Sequence, residues 1–172
     1  YKWFNELSKK YGYDFILTAH HLNDSIETFF INICRGTGNE GLTGIPIKRD
    51  KFIRPLLFAT KNSILEYAKK NDVHYREDKS NESKNYKRNK IRSDLIPIIS
   101  VISENYEEIF YKSFKNLKNL SDTYKYLIKL EIQKIMTKEF DLVYLNLSKI
   151  KDLKEDNLII YEAIKDYGFK NS

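Results

Sequence analysis

The 172 residues include one cysteine, one methionine, one tryptophan, three prolines and six glycines. A single cysteine, Cys34, cannot close an internal disulfide or build a cysteine-based zinc site, and it fits a reducing compartment. So few prolines and glycines leave little room for a long flexible linker. No run of about 18 apolar residues exists, which excludes a transmembrane helix. The opening Tyr1-Lys2-Trp3-Phe4-Asn5-Glu6 lacks the layout of a signal peptide. It also lacks Met and reads as the middle of a helix, so the native polypeptide is expected to extend upstream. Hydrophobic residues are 41% and charged residues 31%, the composition of a soluble globular chain that suits the cytoplasm. The length allows one domain, or one domain and a small second one.

The net charge is +6, unevenly placed. Residues 1–103 hold 18 basic and 12 acidic side chains, and residues 104–172 hold 12 of each. Between Lys79 and Arg92 six basic residues stand against one acidic residue. A basic cluster confined to one part of a chain suits a polyanionic partner, and equally a solvated face.

Periodicity predicts a helix over 2–10, then a short buried strand at Phe15-Ile16-Leu17-Thr18-Ala19, of the kind found in parallel sheets. A second helix follows, with Leu22, Ile26, Phe29, Phe30 and Ile33 on one apolar face. Four glycines between Gly36 and Gly44 predict a loop. A short strand near Phe52-Ile53 precedes a helix over Lys61–Asn71 with Ile64, Leu65 and Ala68 facing inward. His74-Tyr75 reads as a short strand and Asp78–Asn85 as a loop. Tyr86 to about Ser100 reads as a helix interrupted near Pro97. Val101 to Met136 reads as a long helical stretch in one or two pieces, with apolar positions at Ile109, Phe110, Phe114, Leu117, Leu120, Tyr124, Leu127 and Leu130. Phe140–Leu147 reads as a strand or extended turn, and Asn157–Tyr167 as a closing helix. The order implies an α/β layered domain over 1–100 and a small, mostly helical domain over 101–172.

Three clusters could carry chemistry. His20, Asp24 and Glu27 sit where a strand hands over to a helix, the end of a parallel sheet at which ligands bind. Asp24 and Glu27 are three apart and share one side of the helix, so they could hold an amine or a magnesium ion. Acidic residues are also favoured in the first turn of any helix. Arg35-Gly36-Thr37-Gly38, with Gly41 and Gly44, could present backbone amides and a guanidinium to an anion, or could simply stop a helix. Lys84, Lys87, Arg88, Lys90 and Arg92 could follow an RNA backbone or form a solvent-facing basic helix.

The order of these segments resembles the tRNA(Ile)-lysidine synthetase family of the PP-loop, or N-type ATP pyrophosphatase, superfamily. The residues that carry the resemblance are His20-His21 with Asp24 and Glu27-Thr28, Arg35-Gly36-Thr37-Gly38, Gly41-Leu42-Thr43-Gly44 and Arg54-Pro55-Leu56-Leu57. They continue with Asp78-Lys79-Ser80-Asn81, Arg88-Asn89-Lys90-Ile91-Arg92 and Leu95-Ile96-Pro97. The match runs in register over residues 1 to about 100. Residues 101–172 resemble the family's helical middle domain only in length and texture. Two departures stand out. Asn23-Asp24 occupies a place where many relatives have two aspartates. The family's phosphate-binding Ser-Gly-Gly-x-Asp-Ser does not occur, and the resemblance places it upstream of Tyr1.

The resemblance implies a fold and a reaction. The fold is the C-terminal part of a parallel-sheet nucleotide-binding domain, followed by a helical substrate- or tRNA-binding domain. In the reaction, ATP adenylates the C2 oxygen of a wobble cytidine, lysine attacks C2, and AMP leaves. The implied partners are tRNA(Ile) with a CAU anticodon, free L-lysine, ATP and Mg2+. No membrane is implied, and a homodimer is one arrangement the family allows. Asp24 and Glu27 would position the amine or the metal, with Asp24 the candidate metal ligand. His20 and Arg35 would face ATP. Lys84, Lys87, Arg88, Lys90 and Arg92 would hold tRNA or the activated nucleotide. The 172 residues alone, without the phosphate loop, are expected to be inactive. A tRNA 2-thiolation enzyme of the same superfamily is the nearest alternative. The single Cys34, expected to be buried on an apolar helix, argues against it. A non-catalytic RNA-binding module is the rival from another class.

Overall fold

The structure, a computed structural model, describes residues 2–76, 86–140, 142–151 and 156–168. It divides into two units, Tyr1–Lys118 and Asn119–Ser172. The first begins with helix α1, Lys2–Tyr11, whose last turn carries Lys9 and Lys10 where a helix favours cations. Strand β1, Ile16–Leu17, pairs in parallel with β3, Phe52–Ile53, and β3 pairs antiparallel with β2, Lys48–Arg49. The sheet is therefore mixed, in the order β1-β3-β2. Its parallel pair is the one that a helical crossover has to join. The β2–β3 turn places Asp50 at φ 54°, a conformation that aspartate tolerates.

β1 is shorter than the Phe15–Ala19 run and is not buried. Phe15 is 53% and Leu17 68% exposed. Among the described residues β1 is an edge strand with β3 on one side only, so its other flank is left uncovered.

Helix α2, Leu22–Ile33, is the crossover. Leu22 and Ile26 are buried with Phe114 in a core completed by Phe29, Phe30, Ile96, Tyr106 and Phe110. The rings of Phe29 and Phe110 meet edge to face at 5.6 Å, and those of Phe29 and Phe114 at 5.7 Å. Ile33, expected on the same face, lies at the helix end and is exposed. The loop after α2 contains a 3-10 turn, Asn39–Thr43, and returns to pack on α2 at Gly44. That residue has φ 74° and ψ −150°, a region open essentially to glycine alone. A Cβ there would stand 3.1 Å from the Ser25 Cβ.

Helix α3, Lys61–Lys70, starts at Thr60, whose hydroxyl accepts from the Ser63 N–H at 3.0 Å. Ile64, Leu65 and Ala68 are half-buried. His74-Tyr75 is not a strand. The Val73 N–H turns back to the Ala68 carbonyl and Tyr75 is exposed, so no sheet partner is engaged. The loop expected over Asp78–Asn85 lies outside the described residues.

Helix α4, Tyr86–Lys90, runs through a π turn, Ile91–Leu95, into α5, Ile96–Ile102. The interruption expected near Pro97 takes this form. Proline lacks an N–H and its ring collides with the carbonyl one turn earlier. Widening the preceding turn relieves the collision, and the Ile96 N–H reaches back five residues to the Ile91 carbonyl. After Ser103 the chain turns into α6, Tyr106–Ile135, so the helical stretch from residue 101 is in two pieces. The first unit extends to Lys118 because Phe110 and Phe114, in the opening turns of α6, pack on α2.

The second unit holds the rest of α6, a hairpin of β4, Met136–Glu139, with β5, Leu142–Leu145, then α7, Leu147–Lys151, and α8, Asp156–Ile164. Ile135, Ile150 and Ile159 form its core. β5 lies within the predicted Phe140–Leu147 segment, whereas β4 begins at Met136, which was expected to be helical. Phe140 at the hairpin tip has φ 53° and is almost fully exposed.

Candidate functional site

The site forms where β1 and β3 end and α2 begins. Beyond β1, the Thr18 N–H bonds the Ile53 carbonyl, and the Leu22 N–H bonds the Ala59 carbonyl. These bonds fix residues 18–21 between the end of β3 and the loop that leads into α3. Asp24 folds back on its own helix, where its Oδ2 accepts from the His21 backbone N–H at 3.0 Å and lies 3.6 Å from His21 Nε2. One turn later Glu27 is buried, with its side chain 4% exposed. Arg92 Nε donates to Glu27 Oε1 at 2.7 Å, and Arg88 Nε lies 3.2 Å from Oε2. Arg88 Nη2 also donates to Thr28 Oγ1 at 3.2 Å. The four-residue step from Arg88 to Arg92, through the start of the π turn, thus puts two guanidiniums on one carboxylate. Asn23 ties three elements together. Its amide donates to Glu107 Oε1 at 2.6 Å, and its carbonyl accepts from the Lys61 N–H at the start of α3.

Four buried polar atoms here have no hydrogen-bond partner: His21 Nδ1, Glu27 Oε2, Arg54 Nε and Arg88 Nε. The Arg88–Glu27 contact is close in distance but is misaligned as a hydrogen bond. Arg54 is 4% exposed and donates one bond, from Nη1 to the Pro46 carbonyl at 2.8 Å. Arg88 Nε and Glu27 Oε2 face each other as an ion pair, which leaves His21 Nδ1 and Arg54 Nε as the two buried atoms open to a polar ligand.

Burial pushes the His20 pKa below its ordinary value. Arg54, Arg88 and His21 push the same way, against the pull of Asp24. His20 is therefore a neutral imidazole at neutral pH, with Nδ1 bonded to Thr18 Oγ1 at 2.9 Å. Burial raises the Glu27 pKa, and the hydrogen bond and charge of Arg92 offset part of that rise. Among the described residues no group of three or more His, Cys, Asp or Glu could hold a metal ion. Asp24 has one oxygen committed to its helix cap. The donors present do not fit a protein-built magnesium site.

The structure brings His20, Asp24, Glu27, Arg88 and Arg92 together. It does not bring Arg35 to them. Arg35 follows the far end of α2, 11 residues from Asp24 and about 16 Å along the helix axis, and is exposed. The glycine loop after it is held by Asn32, whose amide donates to the Gly41 carbonyl at 2.9 Å. Lys87 is exposed and, with Lys90 and Arg35, borders a separate groove. Lys84 lies outside the described residues. Cys34, expected to be buried, is exposed at the end of α2, so burial no longer argues against sulfur chemistry and only the cysteine count does. Sequence reasoning gave no role to Arg54, Asn23 or Glu107. An arginine directly after a strand, before proline, was a signal for the first. Glu107 is brought in from 84 residues away and left no local signal.

Residues 1–99 match the PP-loop domain family. The chain is similar to the tRNA(Ile)-lysidine synthase of Porphyromonas gingivalis, 30% identical over 98% of this chain and 37% of the relative. It is also similar to those of Bacillus subtilis, 33% identical over 81% of this chain and 30% of the relative, and Treponema denticola, 35% identical over 71% and 26%. The chain spans less than two fifths of the length of these curated relatives.

Proposed function

The chain belongs to the PP-loop family, and from that premise we propose that it carries part of the machinery for ATP-dependent ligation of lysine to C2 of a tRNA(Ile) wobble cytidine, giving lysidine. The observation behind the reading is the buried Glu27 clamped by Arg88 and Arg92 beside the carboxyl end of β1, among unsatisfied polar atoms.

The reaction makes specific demands of these residues. Negative charge grows as pyrophosphate and later AMP separate from the nucleotide, and preorganised guanidiniums stabilise it. Arg92 is half exposed and, while its Nε and one terminal nitrogen hold Glu27, it keeps other N–H donors for a phosphate. The lysine amine attacks C2, the bond from C2 to the adenylate oxygen breaks, and one amine proton passes to a base. A neutral His20 can accept that proton. Asp24, with its second oxygen not used by the cap, orients the amine. Residues 1–100 would supply the nucleotide chemistry and residues 101–172 would support the tRNA.

The test is transfer of radiolabelled lysine to a tRNA(Ile) transcript by the intact protein, with release of AMP and pyrophosphate measured alongside. Lysine-dependent AMP release supports the reading. Stable tRNA binding with no AMP released would show an RNA-binding module instead.

A further inference from the structure

The groove between the end of α2 and the α4–α5 run encloses about 430 Å³ and belongs to neither the Glu27 cluster nor the sheet end. Its floor is aliphatic, made by Ile31, Ile91, Leu95 and Ile98. Its rim carries Arg35, Lys87 and Lys90, with Asp94 the one acid among the described lining residues and Cys34 at the edge. The volume lies within the range of clefts that take small molecules, roughly 300–1,000 Å³.

Two independent features separate this groove from an ordinary surface dent. First, three of its lining residues, Ile91, Asp94 and Leu95, come from the π turn, a helical irregularity that occurs frequently at functional sites. The same turn sends Arg92 toward Glu27. Ile31, which lines the groove, lies one turn beyond Glu27 on α2, about 6 Å along the helix axis. Second, the rim is cationic over an apolar floor. That combination rejects a purely apolar partner, which would leave the Arg35 and Lys87 charges desolvated, and it rejects a simple phosphate, which would leave the floor uncovered. A nucleotide answers both demands, because its base has an apolar face and its phosphate is an anion. Apolar side chains commonly hold a base that has left its stack. Asp94, which accepts from Ser93 Oγ, can also accept from the exocyclic amine of such a base.

We propose that this groove seats one unstacked RNA nucleotide, its base against the aliphatic floor and its phosphate on the basic rim, next to the nucleotide that reacts at the Glu27 site. The proposal rests on the reading that RNA is the substrate, and the experiment separates the two.

Cys34 is the sole cysteine of the sequence and is exposed at the groove. Its rate of alkylation by a fluorescent maleimide is measured on the protein alone, with a saturating anticodon stem–loop RNA, and with a fully paired RNA duplex. RNA binding is followed separately by fluorescence anisotropy. The stem–loop should slow alkylation by about tenfold, as expected for a site mostly covered at saturation, and the duplex should leave it unchanged. Ile98→Asp alters an exposed position and sets an acid on the floor. It should weaken stem–loop binding by about tenfold with an unchanged circular dichroism melt. A stem–loop that binds tightly while Cys34 reacts at its free rate overturns the groove and leaves the proposed function standing. No RNA binding of any kind overturns the proposed function. Protection that grows with protein concentration in the absence of RNA would assign the groove to a second copy of the chain and also overturn the proposal.

Discussion

Removing Arg92 should destabilise the protein more than removing Glu27, although each deletion breaks the same ion pair. The asymmetry follows from burial. Glu27 has a side chain 4% exposed, while Arg88 and Arg92 are 29% and 48% exposed. Arg92→Leu strands a buried carboxylate with only the misaligned Arg88 for company. Breaking a buried pair this way costs about 3–5 kcal/mol. Arg88 at 3.2 Å should recover part of that, leaving about 2–4 kcal/mol. Glu27→Leu strands two guanidiniums that can turn toward water, so the loss approaches that of the charged hydrogen bonds alone, about 1.5–3 kcal/mol. The double variant has no stranded charge on α2 and should cost less than the two losses summed, with a coupling of about 1–3 kcal/mol. Urea unfolding of the four proteins, followed by circular dichroism, measures the cycle. Single losses that add to within about 0.5 kcal/mol, or an Arg92→Leu loss smaller than that of Glu27→Leu, would refute the reasoning and reduce the cluster to a surface pairing.

Asp24→Asn keeps an acceptor for the His21 N–H and removes the charge, whereas Asp24→Ala removes both. Lysidine formation should fall on the order of 100-fold in each, while only the alanine variant should also lose the cap, about 0.5–2 kcal/mol by thermal melting. Activity surviving in the asparagine variant would make Asp24 a cap and nothing more. Gly44→Ala should cost about 1–3 kcal/mol of stability for its backbone conformation alone, read as a lowered urea midpoint. His20 has a folded pKa below the ordinary 6.5, so the unfolded chain takes up its proton first on acidification. Stability should therefore be level above about 6.5 and decline below it, toward the folded pKa. His20→Gln should flatten that part of the pH profile in the same melts. Lys87→Ala should reduce the salt dependence of tRNA binding by roughly 0.7–0.9 in slope for the lost phosphate contact, and parallel lines across a salt series would make Lys87 a solvated side chain.

How much of this was legible in the sequence depends on whether the cause was local. The helical period of Leu22, Ile26, Phe29 and Phe30 is a property of one segment, and it located both α2 and its buried face. The clustering of His20, Asp24 and Glu27 was legible for the same reason, since a strand end and a first helical turn lie within a dozen residues of one another. The clamp on Glu27 was half legible. The spacing of Arg88 and Arg92 put both on one helix face, but their target is 61 and 65 positions earlier, and charge alone pointed them at RNA. Arg-Gly-Thr-Gly reads the same whether it opens toward an anion or ends a helix. The helix rise alone places Arg35 at the far end of α2 from Asp24. His74-Tyr75 failed as a strand because two β-tolerant residues cannot specify a partner strand, and none is supplied to them among the described residues.

Proline 97 shows how a single local rule reaches the site. A break in the helix near Pro97 was the simple expectation, since its missing N–H and its ring act on the turn that begins at Ser93. The chain instead absorbs the proline by widening the turn before it, and Arg92, inside that turn, reaches Glu27 at 2.7 Å. Ile91 and Leu95, the first and last residues of the widened turn, line the neighbouring groove. One irregular turn therefore contributes to both the Glu27 cluster and the groove. Replacing Pro97 with alanine restores an N–H that can bond the Ser93 carbonyl and favours a regular α-helix. A regular helix turns each residue by a fixed angle near 100°, so every residue on one side of the altered turn must rotate relative to the other. Arg92 and the groove floor then cannot both keep their present directions. The substitution is mild in chemistry and sits on the exposed side of α5. It should nonetheless raise helix stability while it lowers tRNA affinity and lysine transfer together. A variant that is stabilised and fully active would show that the π turn serves only to accommodate proline.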